Sequence, residues 1–365
     1  MNPEAQRCAQ MRQNQKPWRL WGPYLSERQW ATVREDYSAD GDAWGYFTHD
    51  MARSRAYRWG EDGLAGWSDS NQYLCFSLAL WNGQDPILKE RLFGLTNSEG
   101  NHGEDVKELY YYLDATPTHS YAKMLYKYPQ TAFPYTNLRV QNSQRGLDAA
   151  EFELIDTHLF DSNRYFDVFI EYAKASPEDT LVLITVHNRS EQATPLHVLP
   201  QAWFRNTWTW DHRGSRPALR VNARAIETNH PDLGRYWFYF DQNPKLLACE
   251  NETNFERLYN MEINGGCFKD AVHEYLIHDK KDAISANGQG TKAAAWYQAL
   301  VPAHGAFSVR ARITPTQMQD TFANFDDVVA QRREEADLFY SELQAEMPDE
   351  DTRRVQRQAL AGMIW

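Results

Sequence analysis

The feature that most constrains this chain is a two-residue periodicity that recurs from about residue 108 to residue 313. Successive side chains of an extended strand point to opposite faces, so such alternation marks strands with one buried face. Leu109, Tyr111 and Leu113 alternate with Tyr110, Tyr112 and Asp114. Phe166, Val168, Ile170 and Tyr172 alternate with Asp167, Phe169 and Glu171. Leu219, Val221, Ala223 and Ala225 alternate with Arg220, Asn222 and Arg224. Phe307, Val309, Ala311 and Ile313 alternate with Ser308, Arg310 and Arg312. Leu181 to Val186 and Tyr236 to Phe240 are apolar on both faces and suit central strands. Ser176-Pro177-Glu178-Asp179 and Asn287-Gly288-Gln289-Gly290 punctuate the run as turns. Many strands with short turns and few helices between them predict a mainly β fold, a large antiparallel β-sandwich over residues 71–315.

The flanks read differently. In residues 1–70, Ser26 with Gln29 fits a capping box ahead of a helix over Trp30 to Glu35. Asp40 to Ser70 has no sustained period and reads as long ordered loops lying on the sandwich. After Pro315 the period becomes helical. Phe325, Val328, Val329, Ala336, Phe339 and Leu343 share one helix face. Asp349 to Asp351 form an acidic helix start, and Val355, Ala359 and Met363 follow at i, i+4 and i+8. The sequence stops at Ile364-Trp365 inside this apolar pattern, and the expectation is that the polypeptide continues. Residues 316–365 are therefore read as a helical linker and the beginning of a further domain.

Composition excludes several classes. A formal net charge of −12 speaks against a nucleic-acid partner, which needs a clustered basic surface. No stretch approaches the roughly 20 apolar residues of a membrane span. The polar N-terminus lacks the apolar centre of a signal peptide. Cys8, Cys75, Cys249 and Cys267 are far apart and form no metal-ligand or disulfide framework, which suggests a cytoplasmic location with reduced thiols. No cofactor motif is present, and neither a metal nor a cofactor is expected.

Three clusters could carry chemistry. The segment from Leu95 to Asp105 packs Asn97, Glu99, Asn101, His102, Glu104 and Asp105 around two glycines. It offers donors and acceptors on a loop that can approach a ligand, or a turn-rich connection that satisfies its own backbone. In Trp203 to Trp210, an extended backbone would put Trp208 and Trp210 on one face beside Asn206 and Arg205, which suits a sugar ring. A packed strand end explains the same residues. In Asp50 to Gly63, Arg53, Arg55 and Arg58 near Glu61 and Asp62 suggest an ion-pair network that fixes a loop. His187, His197, His273 and His278 are read as structural. Glycoside hydrolysis needs two carboxylates across a cleft, and no pair among the 50 acidic residues is singled out by spacing.

Ser54 to Gly63, Trp81 to Arg91, Gly94 to Glu108, Thr116 to Tyr121, Trp203 to Trp208 and Arg357 to Met363 occur in this order. Together they resemble the N-terminal part of bacterial proteins of glycoside hydrolase family 63, which also contains the processing α-glucosidase of mannosyl oligosaccharides. The resemblance implies a supersandwich-like β domain, a helical linker and an (α/α)6 barrel. It implies inverting hydrolysis of an oligosaccharide by an Asp acid and a Glu base, both in the barrel. On that basis no residue here is catalytic, and the barrel is a missing C-terminal partner. The two polar clusters become candidates for the substrate rim. A carbohydrate-binding sandwich without catalysis and a sandwich-plus-barrel glycoside phosphorylase are the alternatives.

Overall fold

A computed structural model describes residues 2–28, 48–57, 60, 62–95, 99–101, 105–209, 216–262 and 265–365. Two large antiparallel sheets lie face to face. The six-stranded sheet runs Trp21–Pro23, Leu64–Asp69, Leu74–Trp81, Thr194–Phe204, Lys292–Val301, Lys245–Cys249. The nine-stranded sheet runs Gln289–Gly290, Ala218–Val221, Ala225–His230, Gly234–Phe240, Ala306–Thr314, Asp179–Asn188, Tyr165–Ser176, Tyr121–Pro129, Tyr110–Ala115. Their facing sides build one core. Leu74, Phe76, Leu78, Leu80, Val198, Ala202 and Phe204 meet Phe166, Val168, Ile170, Tyr172, Val182, Ile184, Phe238, Val309 and Ile313. The expected mainly β architecture is thus present, and Phe166, Val168, Ile170 and Tyr172 all enter the core as the pattern requires. Trp67 stacks on Tyr172 with centroids 4.3 Å apart, a ring pair worth about 0.5–1.5 kcal/mol beyond its area.

The outer face of each sheet is partly covered. Helix Phe325–Leu343 lays Phe325, Val329 and Ala336 on Tyr121, Ala173 and Leu181 of the nine-stranded sheet. That contact explains why Leu181 to Val186 is apolar on both faces. Arg333 grips Glu171 with two bonds of 2.7 and 2.8 Å, and the Tyr340 hydroxyl donates to the Ala115 carbonyl at 2.6 Å. Helix Glu350–Ile364 starts where Asp349 accepts from the Thr352 N–H, as the acidic start predicts. It packs against strand Tyr110–Ala115, with Ala361 buried and Trp365 stacked on Tyr112 at 5.0 Å.

Several local expectations are corrected. Val355, Ala359 and Met363 form the outward strip of the last helix, with Met363 83 % exposed; its inner face is Leu360, Ala361, Ile364 and Trp365. Leu219 to Ala225 is two strands, because Asn222 Oδ1 accepts from the N–H groups of Arg224 and Ala225 and turns the chain. The stretch Asp40 to Ser70 contains helix His49–Ala52 and strand Leu64–Asp69, whose residues are buried on both faces and so show no alternation. In Tyr110–Ala115 the core-facing rings are Tyr110 and Tyr112, while Tyr111 is exposed. The Ser26 hydroxyl accepts from the Gly66 N–H at 2.8 Å; the helix expected over Trp30 to Glu35 lies outside the described residues. Among the described residues no helix is long and apolar enough to cross a membrane.

Candidate functional site

Polar chemistry concentrates on the outer face of the six-stranded sheet. Strand alternation sends Leu78 and Ala202 to the core, so Ser77, Gln201, Trp203 and Lys292 face away from it. That side is covered as well: Ser77, Gln201, Trp203 and Lys292 are all buried, beneath a cap of Asp62, Glu90, Arg91 and Lys269, which come from three separate segments. Asp62, Glu90, Arg91, Lys269 and Lys292 meet in this cap, all buried. Arg91 bridges Asp62 and Glu90, Lys269 reaches Asp62 at 3.3 Å, and Lys292 reaches Glu90 at 3.1 Å. Burial alone would raise both carboxyls. The cations outweigh it, holding Glu90 at about 2 and Asp62 well below the usual carboxylate range. Lys292 also donates to the Lys269 carbonyl, and Lys269 sits 3.7 Å above the Tyr57 ring. These groups are ionised and engaged with one another, which fixes the cap to the sheet and leaves neither carboxylate free to trade protons near neutral pH.

The glycine-rich loop lies beside this cap. Lys89 and Glu108 form a wholly buried pair at 2.6 Å, and the Tyr126 hydroxyl and Phe93 N–H also donate to Glu108. Asn101 donates to the carbonyls of Gly146 and Ala149 at 3.2 and 3.0 Å. Glu99 is half-buried on the same turn. Asp105 joins Glu151 and Glu153 around the Lys107 ammonium, which is almost fully covered. Burial and the neighbouring Glu151 raise Asp105, while its hydrogen bond with Asp105 lowers Glu151. The position a divalent cation would take among these three carboxylates is filled by Lys107. Asn97, His102 and Glu104 lie outside the described residues.

The second cluster is not extended. The strand ends at Phe204, and Asn206 Oδ1 accepts from the Thr209 N–H and hydroxyl, which folds Trp208 into a turn. Asn206 also donates to the Asn251 carbonyl at 2.8 Å, and Arg205 donates to the carbonyls of Asn71 and Gln72. Trp208 Nε1 donates to Glu252 at 3.0 Å, with the Arg216 guanidinium 5.7 Å from its ring centroid. Arg216 is itself paired with Glu250 and Glu252. The backbone is therefore not extended from Arg205 through Trp208, and Trp210 lies outside the described residues.

A cleft of about 840 Å³ is lined by Asn254, Arg257, Phe268, Asp270, Glu274 and His278, among others. His273, Glu274 and His278 bring ligand-type atoms within 4.8 Å of one another. The hydrogen bonds do not suit a metal. The Leu88 N–H donates to His273 Nδ1 at 3.2 Å, so the proton of the neutral ring sits on Nε2, the atom nearest Glu274. Burial, reinforced by Arg53, lowers His273 to about 3 and keeps that ring neutral. Arg53 at 3.1 Å and Lys280 at 2.6 Å already neutralise Glu274. Arg53 also pairs with Asp50 at 2.9 Å, and Arg257 reaches Asp50 at 2.5 Å, so Arg53 enters an ion-pair network as the composition of its segment suggests; Arg58 and Glu61 lie outside the described residues.

Sequence reading missed Glu90, Lys269, Lys292 and Gln201. The available signal was a polar residue inside an apolar strand run: Gln201 interrupts Leu196 to Phe204, and Lys292 precedes Ala293 to Ala295. Such a residue needs a buried partner, but its partner comes from a segment far along the chain.

No family model matches this sequence. It is 43 % identical over 410 aligned positions to an uncharacterized protein of Saccharomyces cerevisiae, YMR196W, an alignment that covers 99 % of this chain and 38 % of that protein. The chain thus spans well under half the length of that relative. Among solved structures, a putative kojibiose phosphorylase from the human microbiome aligns over 95 % of this chain and 38 % of its own. At 10 % identity and a TM-score of 0.29, that likeness carries no argument about fold or function.

Proposed function

We propose that these residues form the β-sandwich scaffold of a larger carbohydrate-active protein, whose bond-breaking chemistry is carried by a part of the polypeptide outside them. The observation that carries this reading is how the carboxylates around the candidate site are committed. Asp62 and Glu90 are held by Arg91, Lys269 and Lys292, Glu108 by Lys89, Glu274 by Arg53 and Lys280, and Asp105 with Glu151 by Lys107. Glycosidic hydrolysis needs one carboxyl able to give a proton and a second able to take one or attack, both facing an open cleft. Carboxylates held in ion pairs, under the cap or like Glu274 on the wall of the cleft, serve stability instead. The outward apolar strip of the last helix and the greater length of the yeast relative fit a chain that works as part of something longer.

The segments resembling glycoside hydrolase family 63 make inverting hydrolysis of an α-linked glucosyl oligosaccharide, on an (α/α)6 barrel, the leading reading for the whole protein. Glu99, Asn101 and Asp105, with Asn97, His102 and Glu104 beside them in sequence, are the proposed rim of its substrate cleft. A cytoplasmic location fits four cysteines that form no disulfide. The test is to express the complete reading frame and assay α-linked glucosides and mannosides, with and without phosphate. Sugar release without phosphate supports a hydrolase. Release that depends on phosphate replaces hydrolysis with phosphorolysis, and no release from any substrate overturns the carbohydrate-active reading.

A further inference from the structure

Beneath the cap is a small chamber lined by Asp62, Ser77, Glu90, Trp203, Lys269 and Lys292, among others. The centre of a water-sized sphere can move through about 10 Å³ of it, so it admits one single-centre guest and nothing larger. Ser77 and Trp203 are 1 % and 4 % exposed, and among the described residues Ser77 Oγ and Trp203 Nε1 have no hydrogen-bond partner. The Trp203 indole N–H can only donate. Lys292 Nζ spends two of its three hydrogens, on Glu90 and on the Lys269 carbonyl, and is also buried. The carboxylate oxygens of the lining are occupied: Asp62 takes Tyr57, Arg91 and Lys269, and Glu90 takes Arg91, Gln201 and Lys292. The Trp203 N–H therefore calls for an acceptor, in a chamber whose lining also carries the side-chain amides of Gln201 and Asn251. Gly63 keeps the neighbouring space open: a Cβ there would lie 2.6 Å from Ser77 Cβ and 2.8 Å from Ser77 Oγ.

We infer that the chamber is a binding site for one small hydrogen-bond acceptor, a water oxygen or a halide ion of similar size, which takes the Trp203 N–H and joins the end of strand Thr194–Phe204 to Ser77 and the cap. An unpaired buried donor is costly, and a guest with two to four polar partners removes that cost.

The test is a crystal structure of the chain grown with bromide as the sole added halide, recorded at a wavelength where chloride and bromide both scatter anomalously. Electron density within hydrogen-bonding reach of Trp203 Nε1 and Ser77 Oγ supports the inference; an anomalous peak there identifies a halide, and its absence identifies water. Trp203→Phe, which removes the donor and keeps a ring, should lose that density. Ser77→Ala, which spares the indole, should keep a displaced or weaker peak. An empty chamber in the unaltered protein, or density unchanged in Trp203→Phe, overturns the site.

Discussion

Glu27 offers the sharpest stability prediction. It is fully buried, accepting from the Ala65 N–H at 2.7 Å and the Tyr112 hydroxyl at 3.1 Å. Among the described residues no cation pairs with it. Burial outweighs these bonds and pushes the carboxyl up to about 7 from an ordinary value of 4.5. The folded value lies above the unfolded one, so the folded state binds the extra proton between these limits. The associated stability is complete below about pH 4.5 and is lost as pH rises through about 7. At about 1.4 kcal/mol for each pH unit separating the two values, the loss is about 3 kcal/mol for a group this deeply buried. Glu27→Gln cannot ionise. Its amide oxygen keeps the Ala65 bond, and the Tyr112 hydroxyl can rotate to accept from its NH₂ group. Urea unfolding at pH 5 and pH 8 should show the natural chain losing about 3 kcal/mol more than Glu27→Gln over that interval. The variant should be the more stable of the two at pH 8. Parallel pH profiles for the two proteins would refute the reasoning.

Other perturbations follow from the same geometry. Lys89→Met strands Glu108 as a buried charge and should cost about 3–5 kcal/mol in urea unfolding, with part recovered by Glu108→Gln. Gly290→Ala places a Cβ 2.1 Å from the Cys249 carbonyl and should cost about 1–3 kcal/mol, read as a lowered Tm. Met363→Lys, on the outward strip of the last helix, should leave stability within about 0.5 kcal/mol while reducing any self-association seen by light scattering.

The strands were legible where one face is buried and the other is wet. Phe166 to Tyr172 and Phe307 to Ile313 alternate because one side of each enters the apolar core, while the other carries charged groups such as Glu171 and Arg312 that meet ionic partners. The reading failed where burial is two-sided or where a short bond redirects the chain. Leu64–Asp69 is covered on both faces and carries no period, and a single Asn222 side chain turns Leu219 to Ala225 into a hairpin. In the last helix the apolar residues at i, i+4 and i+8 lie outward, because Trp365 and Ala361 dominate the packing against Tyr112. The charged cap was the least legible part. Arg53 and Asp62 were visible as a local cluster, but Glu90, Lys269 and Lys292 join it from sequence positions that only the folded sheet brings together.

The central claim is that the chemistry is carried outside these 365 residues, whose own carboxylates serve the scaffold. The most direct measurement compares release of glucose from α-linked oligosaccharides by the complete reading frame and by this chain alone, with and without phosphate. The prediction is turnover by the complete protein and none by the chain. Glucose released by the chain alone, abolished by Asp105→Asn or Glu151→Gln, would contradict it.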